Sequence, residues 1–157
     1  MLAATVVTGG AHIATTGTAG TIASATSKVH IAIKDQGNGQ TFKGKMSIQL
    51  NYTGAFDSGA SRVQPNELGV TIRGGQSQQA VAGYDTFTGR KGKLELTFTG
   101  VDLTVPGGKN GLHAEYGTWH LLAGASTGVY KRWTGSGRWA AVTDGTYSIE
   151  WDGSVTR

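Results

Sequence analysis

The chain has no cysteine, which excludes disulfide bonds, thiolate catalysis and zinc–thiolate coordination together. That absence leaves the compartment open, since many secreted bacterial proteins also lack cysteine. Long hydrophobic runs are missing too: no apolar stretch approaches the roughly eighteen residues that a spanning helix requires. The first residues, MLAATVVTGGAHIATTGTAGTIASA, carry no basic segment and are interrupted by Gly and Thr, so they do not form an intact signal peptide. Secretion is the expectation only where Met1 replaces a removed leader. A contiguous stripe of charge is also absent. Lys and Arg give a net charge of +4 but are scattered, with Arg90-Lys91-Gly92-Lys93 and Lys131-Arg132 as the densest spots. Phosphate recognition usually needs such a stripe, so nucleic acid is not an expected partner, and neither is a membrane. A Ser-His-Asp arrangement, the P-loop and the Rossmann fingerprint do not occur.

What the chain has in excess is glycine, 26 residues against 2 prolines in a length of 157. Each interior glycine costs a helix about 1 kcal/mol relative to alanine, whereas short strands joined by tight turns use its access to positive φ. No Gly-x-y period is present, so collagen is excluded. With abundant Thr and Val, the class is all-β, in one domain large enough to bury a core. Residues 1–26 read as an N-terminal strand or arm, with a first strand at Ala4–Val7, and residues 27–157 as the barrel domain.

Period-2 alternation sets the strands. Val29, Ile31 and Ile33 share one face against His30, Ala32 and Lys34, and Asp35-Gln-Gly-Asn-Gly39 reads as a turn. Phe42, Gly44, Met46, Ile48 and Leu50 then alternate against Lys43, Lys45, Ser47, Gln49 and Asn51. Residues 53–67 read as a polar loop, followed by strands at Leu68–Arg73 and Gln76–Thr86. Leu94, Leu96 and Phe98 mark a strand over Lys93–Val105, and Pro106–Gly111 is a turn. Strands at Leu112–Leu122, Arg138–Val142 and Tyr147–Val155 complete the set. About eight antiparallel strands with no helix point to a single antiparallel β-barrel, with a sandwich as the alternative. Closure removes the exposed edges that would otherwise invite association.

The most distinctive stretch is WHLLAGASTGVYKRWTGSGRW, Trp119–Trp139. Its pattern W-x-L-x-x-G-x-S-T-G-x-Y-x-x-x-x-G-x-G resembles the signature of the allene oxide cyclase and dirigent superfamily. Gly124, Thr127 and Gly128 match the corner, Tyr130 the aromatic, and Gly135 and Gly137 the glycines that follow. Ala125-Ser126 stands where a second glycine often sits. The resemblance covers about twenty residues specifically and the strand count loosely. It implies an eight-stranded antiparallel barrel, often trimeric, holding a hydrophobic small molecule without a cofactor and guiding its cyclisation or isomerisation by confinement. No catalytic residue is carried over by the match. Read physically, Gly124 and Gly128 free the backbone where one strand leaves and the next enters, and Tyr130 folds back over the bend.

Candidate chemistry follows from faces. His113-Ala-Glu115 puts an imidazole and a carboxyl on one side of a strand together with Trp119, an acid/base arrangement if it lies at a barrel mouth. The plainer reading is an exposed strand start after Lys109-Asn110-Gly111. His120 falls on the opposite face. His12 and His30 have no partner identifiable from sequence, and no metal site is expected. Glu150 and Asp152 share a face with Ser148, as a solvated strand face would. All four tryptophans lie in the last forty residues. Trp119 and Trp151 sit beside Leu121 and Ile149, as core or pocket lining would. Trp133 and Trp139 flank the glycine-rich bend beside Arg132 and Arg138, a setting for cation–π pairs. The expectation is therefore a cofactor-free barrel binding a hydrophobic small molecule, with His113 and Glu115 as catalytic residues and Trp119, Tyr130 and Trp151 as substrate-binding wall. A homo-oligomer, dimer or trimer, is expected. The competing expectation is a non-catalytic secreted domain that binds carbohydrate or protein, or is structural, through the Trp133/Arg138 surface.

Overall fold

A computed structural model describes residues 24–37, 41–73, 76–104, 112–143 and 146–157. Eight strands form: β1 (Thr26–Gly37), β2 (Phe42–Leu50), β3 (Thr53–Arg73), β4 (Gln76–Gly89), β5 (Gly92–Thr104), β6 (His113–Leu121), β7 (Thr134–Thr143) and β8 (Tyr147–Thr156). They close into one antiparallel barrel in simple chain order, with β8 returning to pair with β1 from Thr26↔Thr156 to Asp35↔Tyr147. The proposed first strand at Ala4–Val7 lies outside the described residues.

Alternation decides which side chains enter the barrel. Val29, Ile31, Ile33, Met46, Ile48, Leu96, Phe98, Ile149 and Trp151 are buried, while Lys34, Lys43, Lys45, Glu150 and Asp152 face out. Each fully buried large side chain contributes about 1.5–3 kcal/mol, so these rows supply the driving force for closure. The interior is filled rather than hollow at mid-height. There Phe98 packs edge-on against Trp139 and Trp151, at centroid distances of 5.3 and 5.5 Å.

Glycine in the wall makes room for those indoles. A Cβ on Gly137 would lie 1.9 Å from the Asp152 carbonyl oxygen and 2.7 Å from Trp119 Nε1. One on Gly117 would lie 2.7 Å from Trp139 Nε1. Large rings lie over bare backbone at Gly83, Gly100, Gly117, Gly137 and Gly153, an arrangement also used to support glycines in designed sheets. The rings satisfy their polar atoms against the same wall. Trp119 Nε1 donates to the Arg138 and Asp152 carbonyls, at 3.1 and 3.3 Å, and Trp139 Nε1 donates to the Thr99 carbonyl at 3.1 Å.

Three segments differ from the sequence expectation. Residues 53–67 are strand, not loop, because β3 runs unbroken through them and pairs with both β2 and β4. Their polar side chains misled the reading, although Asp57, Ser61 and Val63 keep the inward phase. Asp35 is a strand residue paired with Gly44 and Tyr147, so the turn begins later than its composition indicated. Strand β7 begins at Thr134 rather than Arg138, since Gly135 and Gly137 pair regularly with Val155 and Gly153.

Candidate functional site

The two ends of the barrel are built differently. At one end the β6–β7 connection folds inward as a plug. Its backbone docks on β5, with Thr127 N–H donating to the Lys93 carbonyl at 2.7 Å and Val129 N–H to the Lys91 carbonyl at 3.0 Å. Two hydroxyls complete the seam: Thr127 Oγ1 accepts from Lys93 N–H and Ser126 Oγ from Glu95 N–H, both at 3.0 Å. Gly128, at φ 61°, turns the chain where a Cβ would meet the Lys91 carbonyl oxygen at 2.1 Å. The short 3₁₀ turn Gly128–Tyr130 then drives Tyr130 into the barrel, where it is wholly buried among Phe56, Phe87 and Trp133. Its hydroxyl donates to Asp57 Oδ2 at 2.7 Å. Asp57 also accepts from the amides of Ser58, Arg90 and Lys91, at 2.8, 3.2 and 3.1 Å. Burial raises the Asp57 carboxyl, but these four hydrogen bonds outweigh it and hold the group below the usual range.

Further acids are buried through the mid-section and towards the other end. Asp35 on β1, Asp85 on β4 and Glu115 on β6 are all buried and sit in phase with the apolar rows of their strands. Ser61 Oγ donates to Asp35 Oδ1, leaving Asp35 Oδ2 without a partner. Both Asp85 oxygens are partnerless; the amides of Arg62 and Thr86 ease the charge without completing a bond of normal geometry. Burial raises Asp35, and burial together with the Asp35 charge raises Asp85 further. Glu115 Oε2 accepts from the Tyr147 hydroxyl, whose ring stacks on Phe42 at 4.4 Å. Burial lifts the Glu115 carboxyl to about 7, against the pull of Tyr147 and His113 and with the added push of Asp102. At the rim, His113 Nδ1 lies 2.9 Å from Asp102 Oδ1 and 3.0 Å from Asp102 Oδ2. Below Tyr147 on the inner face of β8, the indole Nε1 of Trp151 is buried without a partner.

Of the residues singled out from sequence, His113 and Glu115 therefore come together, each with its own partner. Trp119 and Trp151 are buried in the barrel and Tyr130 is in the plug, so the three aromatics do not form one wall. Trp119 follows Glu115 and Gly117 down the inner face of β6, and Trp151 belongs to the mid-height aromatic cluster. His120 is exposed on the outer face, as expected. His30 does have a partner: its Nδ1 lies 2.9 Å from Asp152 Oδ1. The four indoles are 0–5 % exposed, so they form no open row for stacking sugars. Among the described residues the cation over a ring is Lys91, 4.9 Å above Phe56, rather than Arg132 or Arg138 over tryptophan. Among the same residues no group of three or more His, Cys, Asp or Glu is placed to hold a metal ion.

Sequence reading missed Asp35, Asp85, Asp102 and Tyr147 as members of the site. The available signal was phase: a carboxylate at an inward position of an alternating strand must be matched or protonated. A comparison of the chain with family models, and another with curated proteins, found no match.

Proposed function

We propose that the acid-lined end of the barrel binds a neutral, hydrophobic small molecule carrying a hydrogen-bonding group. Glu115 is its proton-handling residue, oriented by Tyr147, and His113 is held beside it by Asp102. The observation that carries this reading is the meeting of two ready-made proton-transfer pairs, Glu115 with Tyr147 and His113 with Asp102, above the partnerless oxygens of Asp35 and Asp85 in the barrel interior. Buried polar atoms without partners are costly in a folded chain, and ionisable groups pushed from their ordinary range concentrate where ligands and chemistry are. A ligand hydroxyl or amide would supply the missing donors, and a ligand carbonyl would accept from a protonated carboxyl. The filled mid-section confines such a ligand to this end, against the face of the Phe98, Trp139 and Trp151 cluster. With Glu115 titrating near neutrality, one group can both give and take a proton, which suits an isomerase or cyclase that needs no cofactor.

The homo-oligomer is part of the same proposal. The outer face of β4–β7 presents Ala80, Tyr84, Val101, Tyr116, Ala140 and Val142 with few charges. The outer faces of β1 and β2 carry Lys28, Lys34, Lys43 and Lys45. A charge-poor sheet face of that kind suits a second copy of the chain.

The test is a thermal-shift screen of neutral apolar compounds bearing one carbonyl or hydroxyl. Hits are then titrated against the wild type, Glu115→Gln and His113→Ala. The expected result is hits that raise the melting temperature, bind at least about tenfold more weakly to Glu115→Gln and, where turned over, lose turnover in one or both variants. Full binding and turnover in both variants would remove the pair from the mechanism.

A further inference from the structure

We infer that the outer side of the plugged end is a second binding site, for a small organic anion with a flat apolar body, in its simplest form an aromatic carboxylate. The plug leaves a groove of about 650 Å³ between the 3₁₀ turn, the start of β3 and the segment where the approach to β1 meets the end of β8. It is lined by Ser24, Phe56, Val129, Arg132, Trp133 and Arg157. That volume lies in the range of small-molecule sites, roughly 300–1,000 Å³.

The lining divides by chemistry. Phe56 and Trp133 lie 5.6 Å apart with planes 35° from each other, and Val129 is 49 % exposed beside them. Val129 and the exposed part of Phe56 offer contact to a planar ring, with the Trp133 indole, 5 % exposed, packed against Phe56. The polar members are two guanidinium groups and one hydroxyl, and no lining side chain is a carboxylate.

The two arginines are held differently. Arg157 is fixed: its Nη2 donates to Ser27 Oγ at 3.0 Å, its amide donates to the Ala25 carbonyl at 3.3 Å, and its own carbonyl accepts from Ser24 Oγ at 3.1 Å. Arg132 is exposed and makes no hydrogen bond or ion pair among the described residues. A fixed guanidinium beside a free one can clamp an oxyanion, because each presents planar N–H donors that match carboxylate geometry. Lys91, over Phe56, adds positive charge at the same edge. The groove lies at the opposite end of the barrel from Glu115, so this inference stands or falls independently of the proposed function.

The test uses the full chain and two probes of one shape, 2-naphthoate and its neutral amide 2-naphthamide. Binding is followed by calorimetry and by indole fluorescence. The expected result is one naphthoate per chain, with the amide at least about tenfold weaker. Arg132→Gln and Arg157→Gln should each weaken naphthoate by about tenfold or more while leaving the amide unchanged. Lys43→Gln, which removes one exposed charge elsewhere, should bind like the wild type. Equal affinity for acid and amide, retention of naphthoate binding in both arginine variants, or an equal loss in Lys43→Gln would each overturn the inference. So would no naphthoate binding at millimolar concentration. Co-sedimentation with phosphatidylglycerol vesicles that needs Arg132, without naphthoate binding, would overturn it in favour of a lipid surface.

Discussion

Asp57 and Asp85 are carboxyl groups buried inside the same barrel on adjacent strands, yet their surroundings have little in common. Asp57 accepts four hydrogen bonds, three from backbone amides and one from Tyr130, and is held ionised. Asp85 has partnerless oxygens, a second buried acid near it, and a protonation equilibrium pushed well upwards. The closed end has thus used its buried charge as a tie: β3, the β4–β5 turn and the plug all meet at one carboxylate. The rest of the interior leaves Asp35 Oδ2 and both Asp85 oxygens unmatched. A fully matched buried charge fixes a structure, whereas an unmatched one is a cost to folding that ligand contact can offset.

The two ends should therefore fail differently. The largest effect is expected for Tyr130→Ala. It opens a cavity in the plug and removes the hydroxyl from Asp57, so urea unfolding should show a loss of about 3–5 kcal/mol. Tyr130→Phe, which keeps the ring, should lose about 1.5–3 kcal/mol, the range for a hydrogen bond to a charged group. A loss in Tyr130→Phe equal to that in Tyr130→Ala would mean that the hydroxyl, not the packing, holds the plug.

The opposite sign is expected at the acid-lined end. The Glu115 carboxyl is raised from 4.5 to about 7 in the folded protein. The folded state therefore binds the proton more tightly than the unfolded state. This contribution to stability is complete below about pH 4.5, declines as pH rises to about 7 and stays lost above that. The displacement corresponds to roughly 3 kcal/mol. Glu115→Gln should accordingly match the wild type in acid and be more stable by up to about that amount above neutrality. Asp57 behaves inversely, since its folded-state pKa is lowered: its stabilisation is present above the unfolded value of 3.8 and is lost as pH falls through the folded value. Melting temperatures across pH should thus fall on both sides. Glu115→Gln should reduce the neutral limb, to which the raised Asp35 and Asp85 also contribute, and Asp57→Asn should reduce the acid limb while lowering stability throughout. A flat wild-type profile between pH 4.5 and 7 would show that Glu115 is not buried as described.

The smallest expected effect sharpens the comparison at the β2–β3 turn of the closed end. Asn51 and Tyr52 both have positive φ, 51° and 55°, as a two-residue hairpin turn demands. Asn51 suits it and ties Lys28 on both sides, its Oδ1 accepting from the Lys28 amide and its own amide donating to the Lys28 carbonyl, each at 2.9 Å. Tyr52 carries a Cβ where glycine is preferred. Tyr52→Gly should raise stability by about 1 kcal/mol. A loss instead would show that the 3.5 Å contact of its hydroxyl with Asp152 outweighs the backbone strain.

The barrel was legible in the sequence because its interior obeys a period of two. Val29-Ile31-Ile33, Met46-Ile48-Leu50 and Leu94-Leu96-Phe98 each declare an inner face, and the glycine content argues against helices. The same rule was available for the site but pointed the wrong way at polar positions. Asp35 sits among turn-forming residues, and Asp57 and Ser61 sit in a stretch without apolar alternation, so composition outweighed phase there. Glu115 was found because Trp119 marked its face. Tyr147 was placed only at the start of the last strand, because its partner on β6 is 32 residues away in the chain.

The sequence by itself determined the class, the strand phases and the position of the glycine-rich corner, since all three depend on neighbours a few residues apart. Only the tertiary structure decided that the corner turns inward as a plug. It alone brought Asp57 under Tyr130, Ser61 to Asp35 and Tyr147 to Glu115. It also set Arg132 and Arg157 beside one groove. Those outcomes depend on pairing register around a closed barrel, where residues from distant strands meet at one height, and no local pattern records which carboxylate will find donors there and which will not.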